Sequence, residues 1–155
     1  MYQLIIEIVS LFLAGILAGE EFVVRYGVHV SLSILDAQSQ IKARQALIRR
    51  LRVLVPSIIL PTIAFGVATL FFDGTGLALG FQWAGVFSLI ILMLITLIGT
   101  VPINKGILDW KFDAPPNNWK LLIRRWERLD VFRSSAAILA FAFFLVAMVL
   151  HLTGN

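Results

Sequence analysis

Hydrophobic positions along this chain gather into long runs, Tyr2 to Gly19, Val53 to Phe72, Leu77 to Ile103 and Ser134 to Leu152, with the charges concentrated between them. A helix rising 1.5 Å per residue needs ~20 mainly apolar residues to cross ~30 Å of hydrocarbon. Each run meets that length, and the spans are placed at about residues 3–31, 53–72, 77–103 and 133–152 of a single domain without internal repeats. Nothing breaks the first helix at Gly19, so it continues past His29 and out of the hydrocarbon.

The segment DAQSQIKARQALIRRLR, Asp36 to Arg52, is polar but sided. Ala37, Ile41, Ile48, Leu51 and Val55 share one face and Lys42, Gln45, Arg49 and Arg52 another, which predicts an amphipathic helix resting on the bundle or on the membrane surface. Pro56 and Pro61 predict a kink in the second span, tolerated where neighbours satisfy the freed carbonyls. Pro102 should loosen the last turn of the third. Pro115 and Pro116 forbid a continuous helix, and Asn117 or Asn118 is placed to cap the next one, which runs from Trp119 to His151. Two GxxxG patterns, Gly15 to Gly19 and Gly76 to Gly80, predict close helix contacts. The expected fold is all-α: an integral membrane four-helix bundle, its first and fourth helices extending into the cytoplasm, with an amphipathic cytoplasmic helix between spans one and two.

Composition strengthens this reading. Charged residues make up 14% of the chain, against roughly 25% in soluble domains, and the mean hydropathy is +0.92. The first run has no basic residues before it, contains Glu7 and lacks a small-residue cleavage site, so it is read as a permanent span rather than a signal peptide. Cysteine is absent, which excludes disulfides and thiolate metal ligation. Lys42, Arg44, Arg49, Arg50 and Arg52 lie between spans one and two, and Lys105, Lys111, Lys120, Arg124, Arg125, Arg128 and Arg133 between three and four; the turn Asp73 to Gly76 carries no base. The positive-inside rule then puts both basic segments in the cytoplasm and both termini on the other side of the cell inner membrane. Topology accounts for the basic clusters, and no nucleic-acid partner is needed to explain them.

Candidate chemistry begins with AGEEFVVRYGVH, Ala18 to His29, where charges interrupt the first helix. Helical spacing aligns Ala14, Ala18, Glu21, Arg25, His29 and Asp36, and on the fourth helix Trp119, Ile123, Trp126, Asp130, Arg133 and Ala137. Glu21 and Arg25 are an i,i+4 pair able to neutralise each other. With Asn104 closing the third span, these stripes converge on the cytoplasmic half of the bundle. Arg25, Arg133 and Trp126 also suit interfacial anchors. Glu21 is too short to snorkel, and acids inside membranes line cavities or pair. Glu20 points away from the stripe, His29 lies beyond the hydrocarbon, and His151 is a bystander at the outer end. No H-E-x-x-H, P-loop, G-x-S-x-G or Glu-x-x-His motif occurs. A mixed metal site of Glu21, His29 and Asp130 is conceivable, although borderline metals favour several imidazoles.

Thr100-Val-Pro-Ile-Asn104, Asn118-Trp119 and Trp126-Glu-Arg-Leu-Asp-Val-Phe-Arg133, followed at once by a span, together with Ala18-Gly19, resemble the anthrone-oxygenase-like (DUF1772) family of small four-span membrane proteins. The resemblance covers nearly the whole chain in topology, with Asp130 standing where many relatives have His or Asn. It implies an enzyme that oxidises a hydrophobic, aromatic, anthrone- or quinol-like molecule with molecular oxygen as co-substrate and no organic cofactor. On that chemistry Glu21 or Asp130 is the base, Arg25 and Arg133 hold an oxyanion, Asn104 orients a carbonyl, and Trp126 stacks on the substrate. Catalytic roles thus fall to Glu21, Asp130 and Arg133, and substrate binding to Arg25, His29, Asn104 and Trp126.

Two other readings use the same charges. In one, the chain is a non-catalytic subunit binding membrane lipid or a partner helix, including a second copy of itself. In the other, the charges form an interhelical ion-pair network of purely structural value.

Overall fold

The computed structural model describes residues 2–72 and 76–154. Four helices long and apolar enough to cross a membrane form the chain: α1 Tyr2–Ser33, α2 Ala37–Thr69, α3 Leu77–Asp109 and α4 Trp119–Thr153. Short connections force neighbours to run antiparallel. The ends of α1 and α4 confirm this: Glu7 meets His151 at one end, while Glu21 meets Arg133 and His29 meets Asp130 towards the other. The chain is a multi-pass membrane protein whose outer surface carries exposed Phe12, Phe87, Ile98, Phe132 and Val149. That surface suits lipid, because a spanning helix satisfies its own backbone and needs no water. Most of the base-free turn expected at Asp73 to Gly76 lies outside the described residues; Gly76 itself has φ +115°, a conformation that favours glycine.

The amphipathic segment is not a separate element. It forms the first half of α2, which continues helical through Pro56 and Pro61 to Thr69. Asp36 caps it, its Oδ1 accepting from the Ser39 N–H at 3.0 Å, so this residue starts a helix rather than extending the α1 stripe. Buried glutamines lock the first half of α2 onto its neighbours. Gln40 Nε2 donates to Leu32 O, and Gln45 Nε2 donates to both Ile107 O and Trp110 O, each at 2.9 Å. These are carbonyls at helix C-termini, which lack intrahelical partners and need one when shielded from water.

Asn118 occupies the N-cap position of α4, yet its side chain makes no capping bond. Two helices contain a wide π turn, Val24–Val28 in α1 and Ile95–Thr100 in α3. The second ends just before Pro102, where the loosening was expected.

Alanines let α1 and α4 approach closely: Ala14, Leu17, Ala137 and Ala140 are at most 1% exposed beside Leu89 and Leu92 of α3. The GxxxG expectation fails for most of its glycines. A Cβ added at Gly19, Gly76 or Gly80 would meet nothing within 4 Å, and only Gly15 faces a close neighbour, the Phe141 ring. The tight contacts lie elsewhere. Phe144 sits where a Cβ on Gly85 would come to 2.5 Å of its ring and one on Gly66 to 2.9 Å, and Leu129 crowds Gly99 in the α3 π turn. Sequence spacing identifies small residues, but only packing tells which of them face a partner.

Candidate functional site

Four apolar-rich helices must satisfy any charge they bury, and α1, α2 and α4 do so with a ladder of side chains. Arg133 Nη2 donates to Glu21 Oε1, and Arg133 Nη1 lies 3.6 Å from Asp130 Oδ1. Asp130 Oδ2 is 2.9 Å from His29 Nε2. His29 Nδ1 is 3.7 Å from Glu127 Oε1, which accepts from Arg44 Nη2 at 2.8 Å. Glu21 and Asp130 are each 1% exposed and Arg44 2%. Charges this deep persist only when paired and hydrogen-bonded.

The ladder brings Glu21, His29, Asp130 and Arg133 together, as the two stripes predicted. It departs from the sequence reading at several members. Glu21 pairs with Arg133 rather than with Arg25, whose Nη1 instead donates to Ser134 Oγ at 3.2 Å and Ser135 Oγ at 3.3 Å. The α1 π turn begins at Val24, between the two residues, and its wider winding breaks the i,i+4 register on which their pairing depended. His29, placed beyond the hydrocarbon by its position, is buried, with its ring centroid 4.7 Å from that of Trp126. Glu20, expected to face away, has a buried Oε2 without a partner. His151, read as a bystander, has Nδ1 2.9 Å from Glu7. The mixed metal set of Glu21, His29 and Asp130 does not assemble: Arg133 holds both carboxylates, and no group of three or more potential metal ligands occurs among the described residues.

Arg44 and Glu127 were missed. Arg44 looked like one more base of a polar segment, yet Ile41, Arg44, Ile48, Leu51 and Val55 follow helical spacing without a gap. A cation inside an apolar stripe was the available signal.

Beside the ladder lies a cavity of about 460 Å³ between α2, α3 and the start of the α4 span. Small-molecule sites typically occupy ~300–1,000 Å³. The seam between α1 and α4, where the two stripes meet, is filled instead by close alanine packing. The walls are mainly aliphatic, including Val55, Ile59, Met93 and Leu97, and the polar wall holds Thr100, Asn104, Trp126 and Arg133. Each of these four has a buried polar atom without a partner: Thr100 Oγ1, Asn104 Oδ1, Trp126 Nε1 and Arg133 Nε. Buried atoms without a partner occur elsewhere too, at Ser10 and Gln82 among others, and each calls for an explanation. Here all four belong to residues that line one cavity, and together they offer a cation, donors and an acceptor. Arg133 joins cavity to ladder; Glu21, Arg25, His29 and Asp130 stand outside the lining.

A family model described as anthrone oxygenase matches residues 45–143. No curated protein and no solved structure matches the chain. The matched segment contains every residue lining the cavity, from Ile48 to Arg133, together with Asp130, and stops short of the α1 residues.

Proposed function

The chain belongs to the anthrone oxygenase family, and from that premise we propose that it oxidises a hydrophobic aromatic molecule, anthrone- or quinol-like, with molecular oxygen in the cavity beside Arg133. The observation that carries the reading is the set of four unsatisfied polar atoms on one wall of an otherwise aliphatic cavity. A flat aromatic bearing an oxygen substituent would fill the volume beside these residues.

The chemistry closes on two reactants. An anthrone methylene loses two hydrogens and gains one oxygen atom, the second oxygen leaves as water, and the substrate supplies all four electrons. No organic cofactor is required by that balance. The step that needs help is loss of a C–H proton to give an electron-rich anion. Arg133 holds the oxyanion, which favours its formation in a site with little water. Asn104 orients the substrate oxygen and Trp126 offers an aromatic face. Glu21, outside the lining and paired with Arg133 through Oε1, is the final proton acceptor, reached by way of the Arg133 guanidinium, which passes on one hydrogen as it takes another, while Asp130 and His29 fix the other side of Arg133. Arg25, engaged by serines, is a neighbour of this machinery. The basic end of the bundle faces the cytoplasm under the positive-inside rule.

The structural reading of the charges also has support, in Arg44 and Glu127, which tie α2 to α4 without lining the cavity. That role and catalysis coexist on one ladder. Purified protein in detergent supplied with an anthrone is expected to take up oxygen faster than protein-free micelles, which measure spontaneous oxidation. Glu21→Gln and Arg133→Ala should each bring the rate to that background while the helical content persists. Unchanged uptake in both variants overturns the proposal.

A further inference from the structure

The cavity has a rim as well as a wall. On its inner side Ile48, Val55, Ile59, Thr100, Trp126 and Arg133 are buried, whereas Pro56 and Leu60 of α2 and Leu97 of α3 are exposed. α3 packs most extensively on α4 and much less on α2, so the opening lies between α2 and α3. These exposed apolar residues belong to spanning segments, which means that the opening meets lipid chains and not water.

Charge is distributed along the same opening. Arg52, about one turn before Pro56, and Lys105, about one turn after Val101, are exposed at its basic end, and Arg133 is buried inside. No aspartate or glutamate lines the cavity. Arg133 is balanced by Glu21 and Asp130 behind it, so Arg52 and Lys105, with no acid in the lining, supply the field that selects an anion at the mouth, and the aliphatic walls select an apolar body.

We infer that the cavity is a lateral, bilayer-facing binding site for a single-chain or fused-ring amphiphile with one acidic group. Its occupant enters from the leaflet at the basic end, passing between α2 and α3 with its anionic end steered by Arg52 and Lys105. This rests on the cavity identified above and names the class of molecule the proposed oxygenase would take, but the binding itself needs no oxygen chemistry. A substrate delivered from the membrane never has to cross water, and the short, mobile polar end is the only part that touches the interface.

The test uses the full chain reconstituted in phosphatidylcholine vesicles, with an anthroyloxy-labelled fatty acid as probe and its methyl ester as the uncharged control. Energy transfer from tryptophan reads saturable binding without any turnover. The acid is expected to bind roughly thirtyfold tighter than the ester, since two bases near a membrane surface contribute about 1 kcal/mol each towards an anion and 1.4 kcal/mol is tenfold. The preference should vanish in the Arg52→Glu/Lys105→Glu double variant. Leu60→Trp/Leu97→Trp, which narrows the opening from two sides at lipid-exposed positions, should weaken binding of both probes while leaving the helical signal and unfolding midpoint unchanged. Equal affinity for acid and ester, no saturable binding, or displacement of the probe by phosphatidylglycerol as effective as by oleate overturns the inference. A chain that binds the acid selectively but consumes no oxygen would retain this site and refute only the oxygenase reading.

Discussion

Breaking the Glu21–Arg133 pair offers the sharpest view of what the buried charges contribute. In Arg133→Met the side-chain volume is largely kept, but, among the described residues, Glu21, 1% exposed, loses its only partner and Asp130, equally buried, loses one of two. Removing one member of a buried pair costs about 3–5 kcal/mol, because the remaining charge stays desolvated. Glu21→Leu leaves Arg133 with Asp130 at 3.6 Å, so its cost falls nearer the lower end, ~3 kcal/mol. The double variant removes both charges and keeps Asp130 against His29 at 2.9 Å, and hydrophobic replacement of a whole pair is close to neutral. Its stability is therefore expected within about 1 kcal/mol of the parent. The coupling between the sites is then about 5–7 kcal/mol, well above the ~0.6 kcal/mol average of interhelical hydrogen bonds in membranes. Reversible unfolding in mild detergent with increasing dodecyl sulfate, followed by helical circular dichroism, measures all four corners of the cycle. A double variant as unstable as the sum of the singles would refute the idea that each charge is buried for the sake of the other.

Two further outcomes follow from packing and capping. Gly85→Ala brings a methyl group to 2.5 Å of the Phe144 ring, which Gly66 already confines from another side; the same unfolding assay should show a loss of about 1–3 kcal/mol, largely restored by Phe144→Leu. The hydrogen bonds from Ser39 hold the exposed Asp36 carboxyl below its ordinary range. A depressed carboxyl stabilises above its unfolded pKa of about 3.9 and ceases to do so as pH falls through the lower folded value. Exchange of the Ser39 amide should thus be faster in Asp36→Ala than in the parent at neutral pH, with the two converging once acid protonates the Asp36 carboxyl; a difference that persists after protonation contradicts the cap.

The bundle was legible because a spanning helix leaves its signature in length and hydropathy alone. The meeting of Glu21 with Arg133 was legible as well, since alanines below and charges above recur at helical spacing on both α1 and α4. What sequence spacing could not supply was any departure from ideal helix winding. The π turn at Val24 moved Arg25 out of register with Glu21, and the one at Ile95 precedes the part of α3 that presents Thr100 and Asn104 to the cavity. Asn104, Trp126 and Arg133 were picked out individually, yet the cavity they share left no signal of its own in the sequence. Its other walls are ordinary aliphatic residues of α2 and α3, and such residues look alike whether they face a neighbour, a lipid or an empty space. Arg44 was hidden by company: among so many surface bases, its place in an apolar stripe went unweighted.

Oxygen-isotope transfer tests the central claim most directly. With an anthrone under labelled dioxygen, the purified protein is expected to release quinone carrying one labelled atom at a rate well above protein-free micelles. Asn104→Leu, which removes an unpartnered polar group of the cavity wall at little cost to the fold, should lower that rate severalfold. Label incorporation no faster with the protein than without it, or fully retained in Asn104→Leu and Arg133→Ala alike, would contradict oxygen chemistry at this wall of the cavity.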